Sequence, residues 1–452
     1  MEYDAIIIGT GQAGPPLAMS LAKNGKKVAI IEKSHLGGTC VNTGCTPTKA
    51  YVASARRAYE LQHSSELGVD IKGSVKVDLK KIKKRKDELV NSSRESWEKS
   101  FSEEENVQLF RGKAKFQDSK TVQVNEEVIS GKSIYINVGA SPFIPEVFQK
   151  VPFLTNESIL ELEEIPEHLM IVGGGYVGLE FAQMFRRFGS KVSIIERGDR
   201  LMKQEDPDIS KAIAEILQKE EISILFNTDC TGAKEVDDGI ELQLNEDQVL
   251  TGSHLLVATG RKPNTKDLGL EKTGVEIDEK GYIKVNDVLQ TNVSHIYALG
   301  DCNGEGAFTH TSYNDFQIVN SQLFGDKKLK LSGRIPCYAA YIDPPLARVG
   351  LNETQIKEKR LKAKMAFLEM NKVARAKEMG ETNGHLKIYI EEKNEKILGA
   401  SFLGVRADEF IHLIIDSMYA GAKYEVIRDA VHIHPTVSEL IPTMLQELKP
   451  ME

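Results

Sequence analysis

Two glycine-rich turns of the same design recur in this chain, each set between a strand-like run and a helix-like run. In the first, apolar residues 5–8 lead into Gly9-Thr10-Gly11-Gln12-Ala13-Gly14, and Leu17, Ala18, Leu21 and Ala22 follow at helical spacing. A second apolar run, residues 28–31, ends on Glu32. In the later unit, residues 169–172 precede Gly173, Gly175 and Gly178, and residues 192–195 end on Glu196. The interval from Gly14 to Glu32 equals that from Gly178 to Glu196. Glycine permits the tight turn and the close approach of a pyrophosphate to a helix N-terminus, and the acid accepts hydrogen bonds from ribose hydroxyls. One such turn is a weak signal. Two in full context predict an α/β fold with two Rossmann-like units, one for each of two dinucleotides.

A chain of 452 residues is too long for one core and suggests about three domains. The formal net charge of -8 argues against a nucleic-acid or anionic-membrane partner. The start, Met1-Glu2-Tyr3-Asp4, is acidic where a secretory signal needs a basic segment, and no apolar run approaches a membrane span. The five cysteines have no framework spacing, which predicts a reducing, cytoplasmic setting. A disulfide formed there is expected to be catalytic.

Cys40 and Cys45 lie in Gly37-Gly38-Thr39-Cys40-Val41-Asn42-Thr43-Gly44-Cys45-Thr46-Pro47-Thr48-Lys49. A zinc site would need a second ligand cluster, but Cys230, Cys302 and Cys337 are scattered singly, so no metal site is expected. Pro47 suits a first helical turn and places Cys45 at or near a helix N-terminus, where a thiolate is favoured. Two buried structural cysteines are the alternative; their position directly after the first dinucleotide unit favours a redox pair. The first unit should then hold the cofactor that exchanges electrons with sulfur, for which flavin is the candidate, and the second the nicotinamide donor.

Residues 78–105 are rich in Lys, Arg and Glu. Their Lys80–Lys86 stretch could pass for a nucleic-acid patch, but Leu79, Ile82, Leu89, Trp97 and Phe101 share one helical face and acids follow the bases, which predicts a solvated amphipathic helix. Residues 121–124 and 134–138 read as strands, and a β-rich stretch from Ile240 runs to Gly260. Tyr297-Ala298-Leu299-Gly300-Asp301 reads as a buried strand suited to presenting Asp301 to a ribityl chain; a helix N-cap is the plainer role for Asp301, and the two can coexist. After Gly333, strand-like residues 387–390 and 397–403 alternate with helix-like residues 408–420 and 437–448, without a glycine fingerprint. The segment Val431-His432-Ile433-His434-Pro435-Thr436-Val437-Ser438-Glu439 is either a loop with a capping Thr436 or an imidazole whose base strength a carboxylate sets. Thiol chemistry elsewhere in the chain requires the latter.

Together these motifs, with Gly-Gly-Gly-Tyr-Val-Gly-Leu-Glu at 173–180, Val-Ala-Thr-Gly-Arg-Lys-Pro-Asn at 257–264 and Ala-Leu-Gly-Asp-Cys-Asn-Gly at 298–304, resemble the pyridine nucleotide–disulfide oxidoreductases. This is the flavoprotein family of dihydrolipoamide dehydrogenase, glutathione reductase and mercuric reductase. The resemblance implies an FAD domain (1–146 and 269–333) interrupted by an NAD(P) domain (147–268), then a C-terminal α+β dimerisation domain (334–452). It implies that Cys45 is the charge-transfer thiol and Cys40 the interchange thiol, that Lys49 pairs with Glu180, and that Tyr176 covers the nicotinamide pocket. His434, oriented by Glu439, would reach the disulfide of the other subunit of a homodimer. Gly9, Gly11, Gly14, Glu32, Gly38, Thr39 and Asp301 would bind FAD; Gly173, Gly175, Gly178, Glu196, Gly260 and Arg261 complete the cofactor set. The matching acids favour NADH, with NADPH possible.

Segments such as Gly44–Lys49 and Phe308–Tyr313 look most like the mercuric-reductase-like branch. The final residues, Leu448–Glu452, carry no cysteine pair, and His434, which mercuric reductases lack, is present. Both points favour a small-molecule or protein disulfide as substrate, or another soft metal ion handled by Cys40 and Cys45 alone. A non-enzymatic flavoprotein sensor or scaffold would have no need of both cysteines, His434 and Glu439.

Overall fold

Parallel pairing brings the glycine turns, the strand-end acids and Asp301 to common sheet edges. The computed structural model describes residues 1–245 and 248–451. Its first sheet is seven-stranded. Val107–Arg111, Val28–Glu32, Glu2–Ile8 and Glu127–Ile136 run parallel in that spatial order, and Ile296–Ala298 joins the far end of Glu127–Ile136, also parallel. Thr121–Val124 and Ala114–Phe116 extend it antiparallel. Strands buried on both faces read as continuous apolar runs, and Val28–Glu32 is buried throughout.

The second unit is a four-stranded parallel sheet in the order Ser223–Leu225, Lys191–Ile195, His168–Val172, His254–Val257. In both units the first glycine has positive φ, +101° at Gly9 and +114° at Gly173, a region open to glycine and costly for other residues. A Cβ on Gly14 or Gly178 would strike the carbonyl of Gly9 or Gly173, so the helix packs close only because the third glycine is bare. Ala140–Pro142 pairs antiparallel with Arg261–Pro263 where the chain passes between the two units.

The last third forms a six-stranded antiparallel sheet, ordered Cys337–Ala340, Leu346–Gly350, Ile397–Leu403, His385–Glu391, Ala363–Glu369, Lys449–Pro450. This is the α/β arrangement of two Rossmann-like units and an α+β domain that the motifs predict.

Local details depart from the sequence reading. Residues 408–420 form Ala407–Phe410 and His412–Tyr419, loosened at Ile411. Residues 437–448 form a 3-10 turn, Val437–Leu440, then the helix Ile441–Gln446, because Pro442 lacks an N–H and suits a first turn rather than a helix interior. Thr436 does not cap that turn with its side chain; its hydroxyl donates to the Ile433 carbonyl at 2.8 Å. Asp301 is not an N-cap, since Leu299 occupies that position before the 3-10 turn Gly300–Asn303. The basic segment is the helix Leu79–Ser102, but Leu89 is 41% exposed and off its buried face. Its Lys83 and Lys86 both pair with Glu161 and Asp87, and Lys86 is buried.

The loop before the helix Pro207–Lys219 docks the second unit onto the C-terminal sheet through buried charge. Glu205 pairs with Arg348 at 3.0 Å and accepts from the Tyr338 hydroxyl. Asp206 accepts from Tyr389 at 2.8 Å and from the Glu353 and Thr354 amides at 3.1 Å. Lys387 is 1% exposed and bonds Asp208 and Glu353 at about 3 Å each. A buried pair adds little net stability, but removing one partner strands the other charge, at about 3–5 kcal/mol. Lys387→Met should therefore lower the thermal midpoint by several degrees in differential scanning calorimetry. An unchanged midpoint would mean that the Asp208 and Glu353 carboxylates are neutralised by solvent instead.

Candidate active site

Cys45 is the first residue of the helix Cys45–Gln62, and Pro47 sits in its first turn. Gly44 precedes it at φ −128°, ψ −111°, where a Cβ would come 2.9 Å from the Thr39 carbonyl, so the link between the cysteines passes too close to itself for a side chain. Cys40 lies in the short helix Gly38–Asn42. A Cβ on Gly38 would stand 2.8 Å from Gly11 Cα, so this segment rests directly on the first glycine turn. Both cysteines are free thiols, Cys45 exposed and Cys40 half-buried.

The two sulfurs differ sharply in acidity. A hydrogen bond donated by Cys40, reinforced by Thr309 and by the nearby Lys49 ammonium, lowers the Cys45 thiol to about 6 against the pull of burial. The same bond, together with burial, raises Cys40. The Thr309 hydroxyl lies 3.1 Å from the Cys45 sulfur and stands at the start of the helix Thr309–Phe324. Two helix N-termini thus converge on one sulfur, and each favours negative charge there.

Lys49, one turn along the cysteine helix, pairs with Glu180 at 2.8 Å. Glu180 is buried on the helix Tyr176–Phe188, and its second oxygen accepts the Tyr341 amide at 2.8 Å. The Lys49 ammonium also lies 4.6 Å from the centre of the Tyr341 ring. Tyr176 opens the Glu180 helix; its ring tilts against Phe308 at 5.5 Å, and Phe308 stacks on Tyr338 and His310 at 5.4 Å each. Burial pushes the Tyr176 hydroxyl up to about 12, so the ring stays neutral.

Each strand-end acid reaches back to its own glycine turn. Glu32 accepts the Thr10 amide at 3.0 Å and the Ser34 amide at 2.9 Å; Glu196 accepts the Gly174 amide at 2.7 Å and the Gly198 amide at 2.6 Å. Gly260, at φ +128°, leads to Arg261, whose guanidinium donates to the Ala140 carbonyl and lies 3.5 Å from the Thr39 hydroxyl. The Arg261 Nε is buried with no partner. Burial raises the Asp301 carboxyl, opposed by the Arg261 charge.

His434 and Glu439 stand apart from this cluster. Their side chains bond at 2.8 Å, with His434 77% and Glu439 9% exposed. Thr309 and Lys49 act on both thiols and Glu180 on Cys45, and the imidazole of the same chain is not among these groups. Val431 and Ile433, which flank His434, are 99% and 79% exposed, so this loop presents an apolar surface around its imidazole.

Comparison with known proteins shows the family. The family model described as pyridine nucleotide-disulphide oxidoreductase matches residues 3–315, and its dimerisation-domain model matches residues 337–445. The chain belongs to the pyridine nucleotide-disulphide oxidoreductases. It is 35% identical to the probable pyridine nucleotide-disulfide oxidoreductase RclA of Escherichia coli (strain K12), over 99% of this chain and all of that one. It is also 35% identical to a mercuric reductase of Staphylococcus aureus, over 97% of this chain and 81% of the other. The solved structure of the HOCl-induced flavoprotein disulfide reductase RclA from E. coli superposes with a TM-score of 0.91 at 34% identity, covering 99% of this chain and 100% of that one. A Cu(II) complex of the same E. coli protein superposes at 0.90, with 99% of each chain covered. The chain is accordingly a flavin-dependent pyridine nucleotide–disulfide oxidoreductase acting on a sulfur group.

Four residues that shape this oxidoreductase's site escaped the sequence reading of roles: Thr309, Phe308, Tyr338 and Tyr341. Thr309 carried one usable signal, a hydroxyl residue at the start of a helical run. Nothing in the spacing shows that it lies beside Cys45, 264 positions away.

The reduced pair should release its first proton near pH 6 and hold its second well above the ordinary thiol value of 9. The sign is that of a lowered acid, with thiolate appearing as pH rises through 6. Ultraviolet thiolate absorbance, referenced to a Cys40→Ser/Cys45→Ser double variant, measures both steps. A single two-proton rise near pH 9 would refute the split.

Proposed function

We propose that the enzyme reduces a small-molecule or protein disulfide at the expense of NADH, with FAD as resident cofactor and Cys40 and Cys45 as the redox pair. The placement of Cys45 at a helix start, with the Thr309 hydroxyl 3.1 Å from its sulfur and Lys49 one turn on, is the observation that carries this reading, because it suits one sulfur to hold charge and leaves the other to exchange. Both nucleotide sites fit their groups. Gly9, Gly11 and Gly14 with Glu32, Gly38, Thr39 and Asp301 would hold FAD, and the bare glycines leave the backbone open to a pyrophosphate. The unpartnered Arg261 Nε is a donor suited to an anionic group beside Thr39. Gly173, Gly175, Gly178, Glu196 and Gly260 would hold the nicotinamide nucleotide, with Tyr176 at its edge. When bound, the two cofactors supply a hydride donor and a hydride acceptor that returns an electron pair to the Cys40–Cys45 disulfide.

The chain's own residues then do the sulfur chemistry. His434, held by its bond to Glu439, takes the Cys40 proton, and the Cys40 thiolate attacks the substrate disulfide. A Cys40–substrate mixed disulfide forms, and the departing thiolate receives the proton from His434. The Cys45 thiolate attacks the Cys40 sulfur, re-forming the Cys40–Cys45 disulfide and releasing the second product as a thiolate, which takes its proton from solvent. Overall one disulfide takes up two electrons and two protons to give two thiols. Lys49, paired with Glu180, keeps a positive charge one turn from Cys45 throughout.

His434 is assigned to the partner subunit's thiols in a homodimer. The support is the dimerisation-domain match together with the exposed imidazole framed by Val431 and Ile433. Domain limits are proposed at 1–146 and 269–333 for FAD, 147–268 for NAD(P) and 334–452 for the dimer. The acidic net charge and the acid-paired lysines of the Leu79–Ser102 helix support a reading without nucleic-acid or membrane partners, in the cytoplasm. No described helix is long and apolar enough to cross a membrane.

A second reading, reduction of a soft metal ion, is favoured by the mercuric reductase and the Cu(II) complex among the relatives. The ion would rest on Cys40 and Cys45 alone, since among the described residues no group of three or more His, Cys, Asp or Glu is placed to hold a metal. Turnover of NADH with lipoamide, glutathione disulfide, Hg(II) and Cu(II) in parallel separates the readings. A disulfide turned over faster than either ion supports the first; the reverse order overturns it.

Removing the imidazole in His434→Gln should slow disulfide exchange by about 10² to 10⁴-fold and leave the half-reaction with NADH nearly unchanged. Stopped-flow absorbance resolves the two halves, and equal slowing of both would contradict an acid–base role confined to sulfur. Glu439→Gln should act in the same direction and more weakly.

NADH should be preferred to NADPH in kcat/KM. Glu196 is anchored by two backbone amides at the strand end, where a 2′-phosphate would meet like charge. At about 4 Å and an effective dielectric near 20, that costs about 4 kcal/mol before screening. Arg197, the next residue, is exposed. A ratio favouring NADPH would mean that Arg197, Arg200 or Lys203 answers the phosphate.

A further inference from the structure

We propose that Thr309 is a positioning residue for the redox pair, its hydroxyl donating a hydrogen bond that holds the Cys45 sulfur as the charged member. This inference rests on the proposal that Cys45 is the flavin-side thiolate. The hydroxyl oxygen stands 3.1 Å from the Cys45 sulfur, within the range of an O–H···S contact. A threonine hydroxyl has one proton and rotates it toward the strongest acceptor in reach. Beside a thiolate that acceptor is sulfur, and a bond to a charged acceptor is about twice as strong as a neutral one.

Helix N-termini alone would not do the same work. Cys45 begins an 18-residue helix and Thr309 a 16-residue helix, so two positive ends meet at the sulfur. Their field favours negative charge anywhere nearby and falls off within a turn, without aiming at one atom. The hydroxyl adds direction. It lowers the Cys40 thiol as well, but there the bond to Cys45 and burial outweigh it.

The residue before Thr309 is held on several sides, which fixes where the hydroxyl starts. Phe308 is stacked between neighbours including Tyr338 and His310. Its amide donates to the Thr311 hydroxyl at 3.1 Å, and that hydroxyl donates back to the Phe308 carbonyl at 2.7 Å. The first turn of the helix is therefore closed by side-chain bonds, and Thr309 faces Cys45 from a rigid platform. Phe308 also carries the Tyr176 ring. One short segment thus touches both the thiol pair and the ring proposed to stand at the nicotinamide site.

The test uses full-length, flavin-loaded Cys40→Ser protein, in which Cys45 is the one thiol of the pair. Its thiolate is titrated by ultraviolet absorbance and by the long-wavelength charge-transfer band, with Thr309 intact and as Thr309→Val, Thr309→Ala and Thr309→Ser. Valine keeps the shape and removes the donor; serine keeps the donor. The titration should move up by about one unit in Thr309→Val and Thr309→Ala, a tenfold fall in thiolate below the midpoint, and stay near the parent in Thr309→Ser. An unmoved titration in both Val and Ala variants would overturn the assignment of Thr309, as would an equal shift in the Ser variant, which would point to packing. If Thr309→Val fails to hold flavin, the Ala and Ser pair decides by the same comparison. Absence of the charge-transfer band with Thr309 intact would instead overturn the role of Cys45, while the ultraviolet titration still reports whether Thr309 acts on the sulfur.

Discussion

The ion pair between half-buried Lys49 and buried Glu180 joins three distant parts of the chain at one point. Lys49 belongs to the cysteine helix, Glu180 to the helix that opens with Tyr176, and the Tyr341 amide and ring, from the C-terminal third, meet both. Such a pair is weak as a source of net stability, since desolvating two charges offsets most of their attraction. Its effect is geometric. Glu180 is buried and cannot be left unpaired cheaply, so any rearrangement that separates the two helices carries a penalty of several kcal/mol. Cys45 and Tyr176 start the two helices so joined, and their relative placement follows from that bond.

With the helices fixed, the chemistry of the thiols follows from their surroundings. Two cysteines in a flexible loop would titrate alike. Here one sulfur sits at a helix start, beside a hydroxyl and an ammonium, and the other is turned so that it donates toward the first. The difference comes from these contacts rather than from the cysteines themselves. It is enough to separate a charge-holding sulfur from an exchanging one.

The outer parts of the molecule serve these few contacts. Buried charges at Glu205, Asp206, Arg348 and Lys387 lock the second nucleotide unit to the C-terminal sheet, and Arg56 and Arg187 meet at Asp343, just beyond Tyr341. These locks hold Tyr341 and Tyr338 where they meet the site. The His434 loop is the exception, because its imidazole turns outward with bare apolar neighbours and completes nothing within its own chain.

The nucleotide units were legible in the residue order because their physics is local. A glycine that must adopt positive φ, a helix that must start at that turn and an acid at the next strand end fall within a few tens of residues of one another. The same holds for Cys45 at its helix start and for the imidazole and carboxylate of His434 and Glu439. Helix ends in the C-terminal third were misjudged where Pro442 overrode an apolar pattern, and Leu89 faced solvent because its helix has only a narrow contact with the core. Tertiary structure alone decided which side chains surround the thiols. Thr309 reaches Cys45 because the parallel strand Ile296–Ala298 returns the chain to the edge of the first sheet, and Tyr341 reaches Lys49 from the end of Cys337–Ala340 in the antiparallel C-terminal sheet. A single sequence carries no distance signal between positions so far apart, and the acidity of a sulfur depends on that distance.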